Sequence, residues 1–168
     1  RRVFFARPPE LPVAPRLYAA DIDGVGGPLA SLLSVPFPIA GPVQLAYPMS
    51  IGADPITERV YVFGHNVGPG SSYGRLEVFD SLSLSSIEGA SISFGGAEYG
   101  MVVDPGRNRL ILPMEYGPYE IALLDGSPLF LDFSIYTFRL VTGSALDPVT
   151  HRVFVMDMLG NAQRDQHV

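Results

Sequence analysis

Three nine-residue stretches decide the fold: DPITERVYV at 54–62, DPGRNRLIL at 104–112 and DPVTHRVFV at 147–155. Each begins with Asp-Pro, which favours a tight turn because the Asp side chain can accept backbone hydrogen bonds and Pro fixes φ. After an Arg, each continues with an apolar run typical of a strand. A turn and strand that recur at this period predict an architecture of repeated small units.

A fainter fourth copy is predicted at 11–19, where LPVAPRLYA keeps the Pro, the Arg and the apolar run but has Leu11 in place of the Asp. Its arginine would be Arg16, which lies 43 residues before Arg59. A position that recurs in a repeat usually has the same structural role in each copy, so the turn Asp and the Arg are predicted to be structural. A ring of arginines that binds an anion is the alternative. The predicted structural positions are Asp54, Arg59, Asp104, Arg109, Asp147 and Arg152.

Four strands are predicted for each repeat: one before the Asp-Pro turn, one after it, a third that ends in Asp, and a polar outer strand. The third strand alternates polar and apolar residues in its first copy, as a half-exposed strand does. The predicted first strands are 47–53, 99–103 and 140–146, the third strands 75–80 and 120–125, and the outer strands 84–94 and 134–140.

Four antiparallel strands per ~43 residues, joined by Gly and Pro turns, predict an all-β chain folded as a β-propeller. A single partial propeller is expected over 1–168, with blades at approximately 1–41, 42–95 and 96–137 and a partial blade at 138–168. About three and a half blades make an incomplete ring, because propellers typically have 4 to 8 blades. The ring is expected to be completed by a protein partner, by a second copy, or by the rest of a longer propeller chain.

The repeats resemble the YVTN and NHL class of β-propeller repeats, in which a Gly-x-x-x-Asp-Pro turn, a short Arg-led strand and a strand ending in Asp recur. The most similar segments are GGAEYGMVVDP at 95–105 and RVYV at 59–62. The departures are Leu11 at the turn Asp and Ser34 where the other copies have Asp80 and Asp125. The resemblance implies a propeller fold, and it implies no activity because these families have unrelated functions.

The composition argues against nucleic-acid partners, cysteine-based sites and a transmembrane helix. The net charge is −6 and the sequence has no Lys, so it lacks the basic surface with which proteins neutralise nucleic-acid phosphates. It has no Cys, which excludes disulfides and thiolate metal sites. The longest apolar stretch, 29–41, is interrupted by Pro36 and Pro38 and is too short for a transmembrane helix.

A binding face is predicted where the loops between second and third strands gather, because ligands and partners of scaffold folds bind to such loops. The predicted loops are 21–24, 64–73 and 115–119, and the longest of them is alternatively a tolerated insertion. Tyr side chains supply rigid contact area there. The candidate binding residues are Asp21, Asp23, His65, Asn66, Tyr73, Glu115, Tyr116 and Tyr119.

No catalytic, metal or cofactor site is predicted. Asp21 and Asp23 alternate around Gly24 as calcium ligands do, but Val25 and Leu32 occupy positions where a calcium loop needs oxygen ligands. His65, His151 and His167 are too scattered for a zinc site. His151 is predicted to be a solvent-facing turn residue.

The sequence therefore favours a non-catalytic scaffold or protein-interaction subunit of a larger assembly, or a segment of a longer propeller. The alternative is the propeller part of an enzyme, resembling lactonases or amine dehydrogenase subunits, whose catalytic residues or cofactor lie outside this chain. The resemblance implies an extracytoplasmic localisation, either in the periplasm or at the cell surface.

Overall fold

The computed structural model describes residues 2–7, 15–22, 29–37, 39–40, 43–67, 74–87, 92–94, 101–114, 117–122, 131–133 and 141–157. Within these residues the chain is all-β, with fourteen strands and a single turn of 3-10 helix at Pro105–Arg107. The prediction of an all-β fold is confirmed. No helix in this part of the chain is long and apolar enough to span a membrane.

The strands form four antiparallel sheets, numbered here in chain order. Sheet 1 contains β1 (Arg2–Arg7), β2 (Arg16–Ile22) and β3 (Leu29–Pro36). Sheet 2 contains β4 (Ile39–Ala40), β5 (Val43–Asp54), β6 (Arg59–Val67), β7 (Gly74–Asp80) and β8 (Ile92–Phe94). Sheet 3 contains β9 (Val102–Asp104), β10 (Arg109–Met114), β11 (Gly117–Ala122) and β12 (Leu131–Phe133). Sheet 4 contains β13 (Val141–Asp147) and β14 (Arg152–Asp157).

Each sheet is a meander in which successive strands are neighbours. Sheets 1, 3 and 4 lie within the predicted intervals 1–41, 96–137 and 138–168, whereas sheet 2 begins at Ile39, three residues before its predicted interval 42–95. β5, β9 and β13 are the predicted first strands, and β7 and β11 are the predicted third strands. Among the described residues of the predicted outer strand 84–94, β8 covers 92–94 and Ser86 forms an isolated bridge to Phe79. The outer strand predicted at 134–140 lies outside the described residues.

Sheet 1 begins one strand later in the repeat than the sequence indicated. In sheet 2, Arg59 pairs with Asp80 at the end of the third strand, and in sheet 1 the same pairing joins Arg2 to Asp21. The segment RVFF at 2–5 therefore corresponds to RVYV at 59–62. The predicted fourth copy at 11–19 is wrong, because Arg16 opens a third-type strand.

The same register corrects two residue assignments. Asp21, and not Ser34, occupies the position of Asp80. In sheet 3 the residue opposite Arg109 is Ala122, and not the predicted Asp125, which lies outside the described residues.

The four sheets pack face to face in chain order. Successive side chains of a strand point to opposite faces of its sheet, and the second strands have apolar side chains on both faces. We call the face toward the preceding sheet the back face and the face toward the following sheet the front face. On β6, Val60 and Val62 lie on the back face and pack on sheet 1, whereas Tyr61 and Phe63 lie on the front face and pack on sheet 3.

Three buried clusters fill the interfaces between sheets. Between sheets 1 and 2 they include Leu17, Ala19, Phe37, Val60, Val62 and Phe79. Between sheets 2 and 3 they include Tyr61, Phe63, Leu76, Val78, Leu110 and Leu112. Between sheets 3 and 4 they include Val102, Ile111 and Val153.

The first strands lie side by side along one edge of this row of sheets. β5 contacts β9, β9 contacts β13, and β1, a second-type strand, contacts β5. β5 approaches sheet 3 closely at Gly52, where a Cβ atom would collide with Cγ2 of Val103 and would lie 3.3 Å from Cε of Met101. Glycine at this position therefore allows two neighbouring sheets to meet at their first strands.

Gly52→Ala is expected to lower the free energy of unfolding by about 1–3 kcal/mol, the usual cost of overpacking a close contact. The matched control is Gly143→Ala on β13, where the added Cβ would meet Cε of Met156 at an ordinary 3.7 Å. That control is expected to change stability by less than ~1 kcal/mol. Urea unfolding measures both values, and equal effects of the two substitutions would contradict the close contact between β5 and β9.

Candidate functional site

The Asp-Pro turns are built by side-chain hydrogen bonds, as predicted. In the turn after β5, Oδ1 of Asp54 accepts the Ile56 backbone N–H at 2.8 Å, and Oδ2 accepts the Thr57 hydroxyl at 2.6 Å. In the turn after β13, Asp147 accepts the Val149 N–H at 2.9 Å and the Thr150 hydroxyl at 2.6 Å. The two turns thus have the same hydrogen-bonding pattern.

The fifth residue of each turn, counted from the Asp, has a left-handed backbone conformation, with φ near 55° at Glu58, Asn108 and His151. This conformation reverses the chain into the second strand, where the turn Asp pairs with the repeated Arg. The three pairs are Asp54 with Arg59, Asp104 with Arg109 and Asp147 with Arg152.

The turn of sheet 3 differs, because Arg107 replaces the Thr of the other two copies. The Asp104 carboxylate instead interacts with the ring of His151 from the turn of sheet 4, with Nδ1 2.8 Å from Oδ1 and 3.0 Å from Oδ2. Only 28% of the His151 side chain is exposed. The prediction of a turn residue was right, but the ring faces the neighbouring sheet and not solvent.

A second link joins sheets 1 and 2 at the same end. Arg2 binds both carboxylate oxygens of Asp21, at 2.8 and 2.9 Å, and Nη1 donates to the backbone oxygens of Ser81 and Leu82 at 2.8 and 3.0 Å. Hydrogen bonding to Asp21 raises the pKa of Arg2 above its ordinary value. Interactions between turns therefore join sheets 1 and 2, and likewise sheets 3 and 4.

Two turn carboxylates have lowered pKa values. The Thr150 hydroxyl, followed by the Val149 N–H, lowers the pKa of Asp147, and the Ser83 N–H and hydroxyl lower the pKa of Asp80. A group with a depressed folded-state pKa stabilises the fold above its unfolded pKa of about 3.9, and this stabilisation is lost as the pH falls through the folded value.

We expect the wild type to lose more stability between pH 5 and pH 2 than the double variant Asp80→Asn/Asp147→Asn, because the variant has no carboxylate to protonate at these turns. Melting temperatures across this range test the expectation. Parallel pH profiles of the two proteins would contradict it.

The predicted binding residues do not all lie on one face. Asp21 ends β2 beside the Ser81 turn, whereas His65 lies near the other end of β6, opposite Gly74. The assignment of Asp21 to a loop between second and third strands is therefore wrong, because sheet 1 starts at the second strand. Its role in partner binding stays a prediction.

The remaining candidates are described in part. Nδ1 of His65 is buried and has no hydrogen-bond partner among the described residues. Asn66 pairs with Leu45 in the sheet, and Tyr119 lies within β11 opposite Leu112, so Tyr119 is in a strand and not in a loop. Asp23, Tyr73, Glu115 and Tyr116 lie outside the described residues.

Sequence reasoning missed a buried ion pair on β7. Nε of Arg75 contacts Oε1 of Glu77, and the side chains are 7% and 0% exposed. All residues from Gly74 to Phe79 are buried, so the half-exposed strand predicted from alternation is wrong. Glu77 lies opposite Val62, on the face of sheet 2 that packs on sheet 1. The sequence feature that could have revealed this ion pair is the Arg-x-Glu spacing, which places opposite charges on one face of a strand.

Among the described residues, no three His, Asp or Glu side chains lie close enough together to hold a metal ion. The described geometry is that of sheet faces joined by apolar packing, charged pairs and turn contacts. Such surfaces hold sheets against one another.

Comparison with known proteins gives a likeness of fold. The sequence matches no protein-family model and no curated protein. A crystal structure of the extracellular domain of BT4673 from B. thetaiotaomicron is similar, with a TM-score of 0.52 and 13% identity over 84% of this chain. A second structure of that domain has a TM-score of 0.50 and 13% identity over 83% of this chain. The chain spans 19% and 18% of those two structures, less than a fifth of their length.

Proposed function

We propose that the chain is part of a YVTN/NHL-type β-propeller and serves as a non-catalytic scaffold or interaction unit of a larger assembly. The observation that carries this proposal is the repeated packing of front face on back face, with the first strands of successive sheets side by side. In a propeller, each blade buries its faces on its two neighbours in the same way. The resemblance of the three Asp-Pro repeats to YVTN and NHL repeats supports the family named in this proposal.

The interaction role follows from the two ends of the row. Sheet 1 has no sheet on its back face, and sheet 4 has none on its front face, within the described residues. Exposed sheet faces with large apolar side chains mark surfaces that associate. The scaffold is thus proposed to act by joining further β-sheets, whether from a partner or from a longer propeller chain.

The localisation proposed with this function is extracytoplasmic. The support is the likeness in fold to an extracellular domain and the absence of cysteine from the chain. Fractionation of the native host followed by immunodetection tests it, and recovery of the protein in the cytoplasm would overturn it.

The scaffold role is tested on the species isolated from its native source, by comparing its native mass with the mass of its denatured polypeptide. The proposal expects either a native mass above that of the polypeptide or a polypeptide well above 18.1 kDa. A native species of 18.1 kDa, monomeric and stable, would contradict it.

A further inference from the structure

The two ends of the row of sheets expose residues at repeat positions that are buried or partly buried between the described sheets. On the front face, the second residue after the repeated Arg is 1% exposed at Tyr61 and 4% at Ile111, but 50% exposed at Phe154. Two residues further along, Phe63 is fully buried and Met156 is 62% exposed. The front face of sheet 4 therefore has the apolar residues of a buried sheet face, but no described sheet packs on it.

The back face of sheet 1 shows the same contrast. Val3 corresponds to Val60, which is fully buried, yet Val3 is 44% exposed. Phe5 corresponds to the buried Val62, is 43% exposed and stacks on Tyr18 with ring centroids 5.0 Å apart. Leu32, opposite Ala20 in the sheet, is 56% exposed. Within the described residues, no sheet packs on this face.

The turns give independent evidence for the missing neighbour of sheet 4. Asp54 and Asp104 lie in sheets 2 and 3, each of which is followed by another sheet, and each of these residues is 2% exposed. Asp147 makes the same turn contacts as Asp54 but is not buried. His151 of the following sheet covers the Asp104 carboxylate, and no sheet among the described residues follows Asp147.

We infer that the occupant of these faces is a second copy of the chain, bound head to tail. Every interface between the described sheets packs a front face on a back face, and the described residues leave uncovered one face of each kind. The front face of sheet 4 in one copy therefore fits the back face of sheet 1 in the other. Two such contacts related by a two-fold axis leave no face uncovered, and the eight sheets fall within the usual propeller range.

A foreign partner would have to supply two different surfaces, one for each end, whereas a second copy supplies both. The contact extends the sheet-on-sheet packing that already joins sheets 1 to 4. This inference rests on the proposed function and names its partner.

The test uses two variants, Val3→Lys on the sheet 1 face and Met156→Lys on the sheet 4 face. Controls are Ile56→Lys and Leu82→Lys, which are 71% and 58% exposed in turns of sheet 2, whose two faces are already covered by sheets 1 and 3. Light scattering after size exclusion measures the mass of each protein, and circular dichroism checks that each is folded.

We expect the wild type and both controls to have twice the 18.1 kDa mass of the chain and each face variant to be monomeric. Mixing the two face variants is expected to restore a dimer, because one intact front face then meets one intact back face. A symmetric contact of sheet 4 on sheet 4 would instead leave Val3→Lys dimeric, and that result would overturn the head-to-tail arrangement.

A folded wild-type monomer at all concentrations would overturn the inference that a second copy covers these faces. It would leave the proposed scaffold intact if the native species still exceeds 18.1 kDa through another partner or a longer chain. The two failures are therefore distinguished by measuring the isolated chain and the native species separately.

Discussion

Glu77→Ala is expected to lower the free energy of unfolding by about 3–5 kcal/mol, the usual cost of removing one partner of a buried ion pair. The Glu77 side chain is fully buried, and its loss leaves the guanidinium of Arg75, which is 7% exposed, without its carboxylate partner on β7. Denaturant unfolding measures the change. A loss below ~1 kcal/mol would show that the pair is solvated and that sheet 1 does not cover this face.

The matched control is the double variant Arg75→Met/Glu77→Leu, which replaces both charges with apolar side chains of similar volume. Replacing a buried ion pair in this way is often neutral or stabilising, so the double variant is expected to recover most of the lost stability. If the double variant were as unstable as Glu77→Ala, packing and not the loss of the charge pair would explain the result.

Phe63→Ala is expected to be comparably destabilising, by about 3–5 kcal/mol, because a fully buried aromatic side chain leaves a cavity when it is truncated. Phe63 is 0% exposed and packs between sheets 2 and 3 with Leu110 and Leu112. The control Ile56→Ala removes an apolar side chain that is 71% exposed, and is expected to cost less than ~1 kcal/mol.

The comparison of Phe63→Ala with Ile56→Ala in the same urea experiment tests whether the interface between sheets 2 and 3 is a true core. Equal small losses from both substitutions would indicate that the two sheets do not share a core. A large loss from Phe63→Ala alone agrees with the face-to-face packing.

The all-β class could be predicted from the sequence because turn chemistry is local. The Asp-Pro turn needs only its own next three residues, and the hydrogen bonds of Asp54 and Asp147 confirm that reading. First strands before the turns and second strands after them follow directly from that signal.

The phase of the first repeat could not be predicted in this way, because no Asp-Pro turn precedes RVFF in the chain. The sequence around Arg16 matches a second strand almost as well as a third strand. What distinguishes them is the pairing of Arg2 with Asp21, which joins residues 19 positions apart. A local sequence pattern does not predict pairing between residues so far apart in the chain.

The candidate site was predicted less well than the fold for a similar reason. The alternation in RLEVFD indicates one polar face, but it does not show that a neighbouring sheet will cover that face and bury Arg75 and Glu77. The contact of His151 with Asp104 likewise depends on how two sheets are placed, as does the exposure of Phe154.

The central claim is that successive sheets pack face to face with their first strands side by side, and one engineered disulfide tests it most directly. A Cβ at position 52 would lie 3.6 Å from the Cβ of Val103, within the range that disulfides need. The chain has no cysteine of its own. The double variant Gly52→Cys/Val103→Cys, with Gly52→Cys/Val149→Cys as control, therefore reports this single contact by intact mass and thiol titration. We predict that the first variant forms an intramolecular disulfide while the control stays reduced. Two free thiols in the oxidised first variant would contradict the stacked arrangement of the sheets.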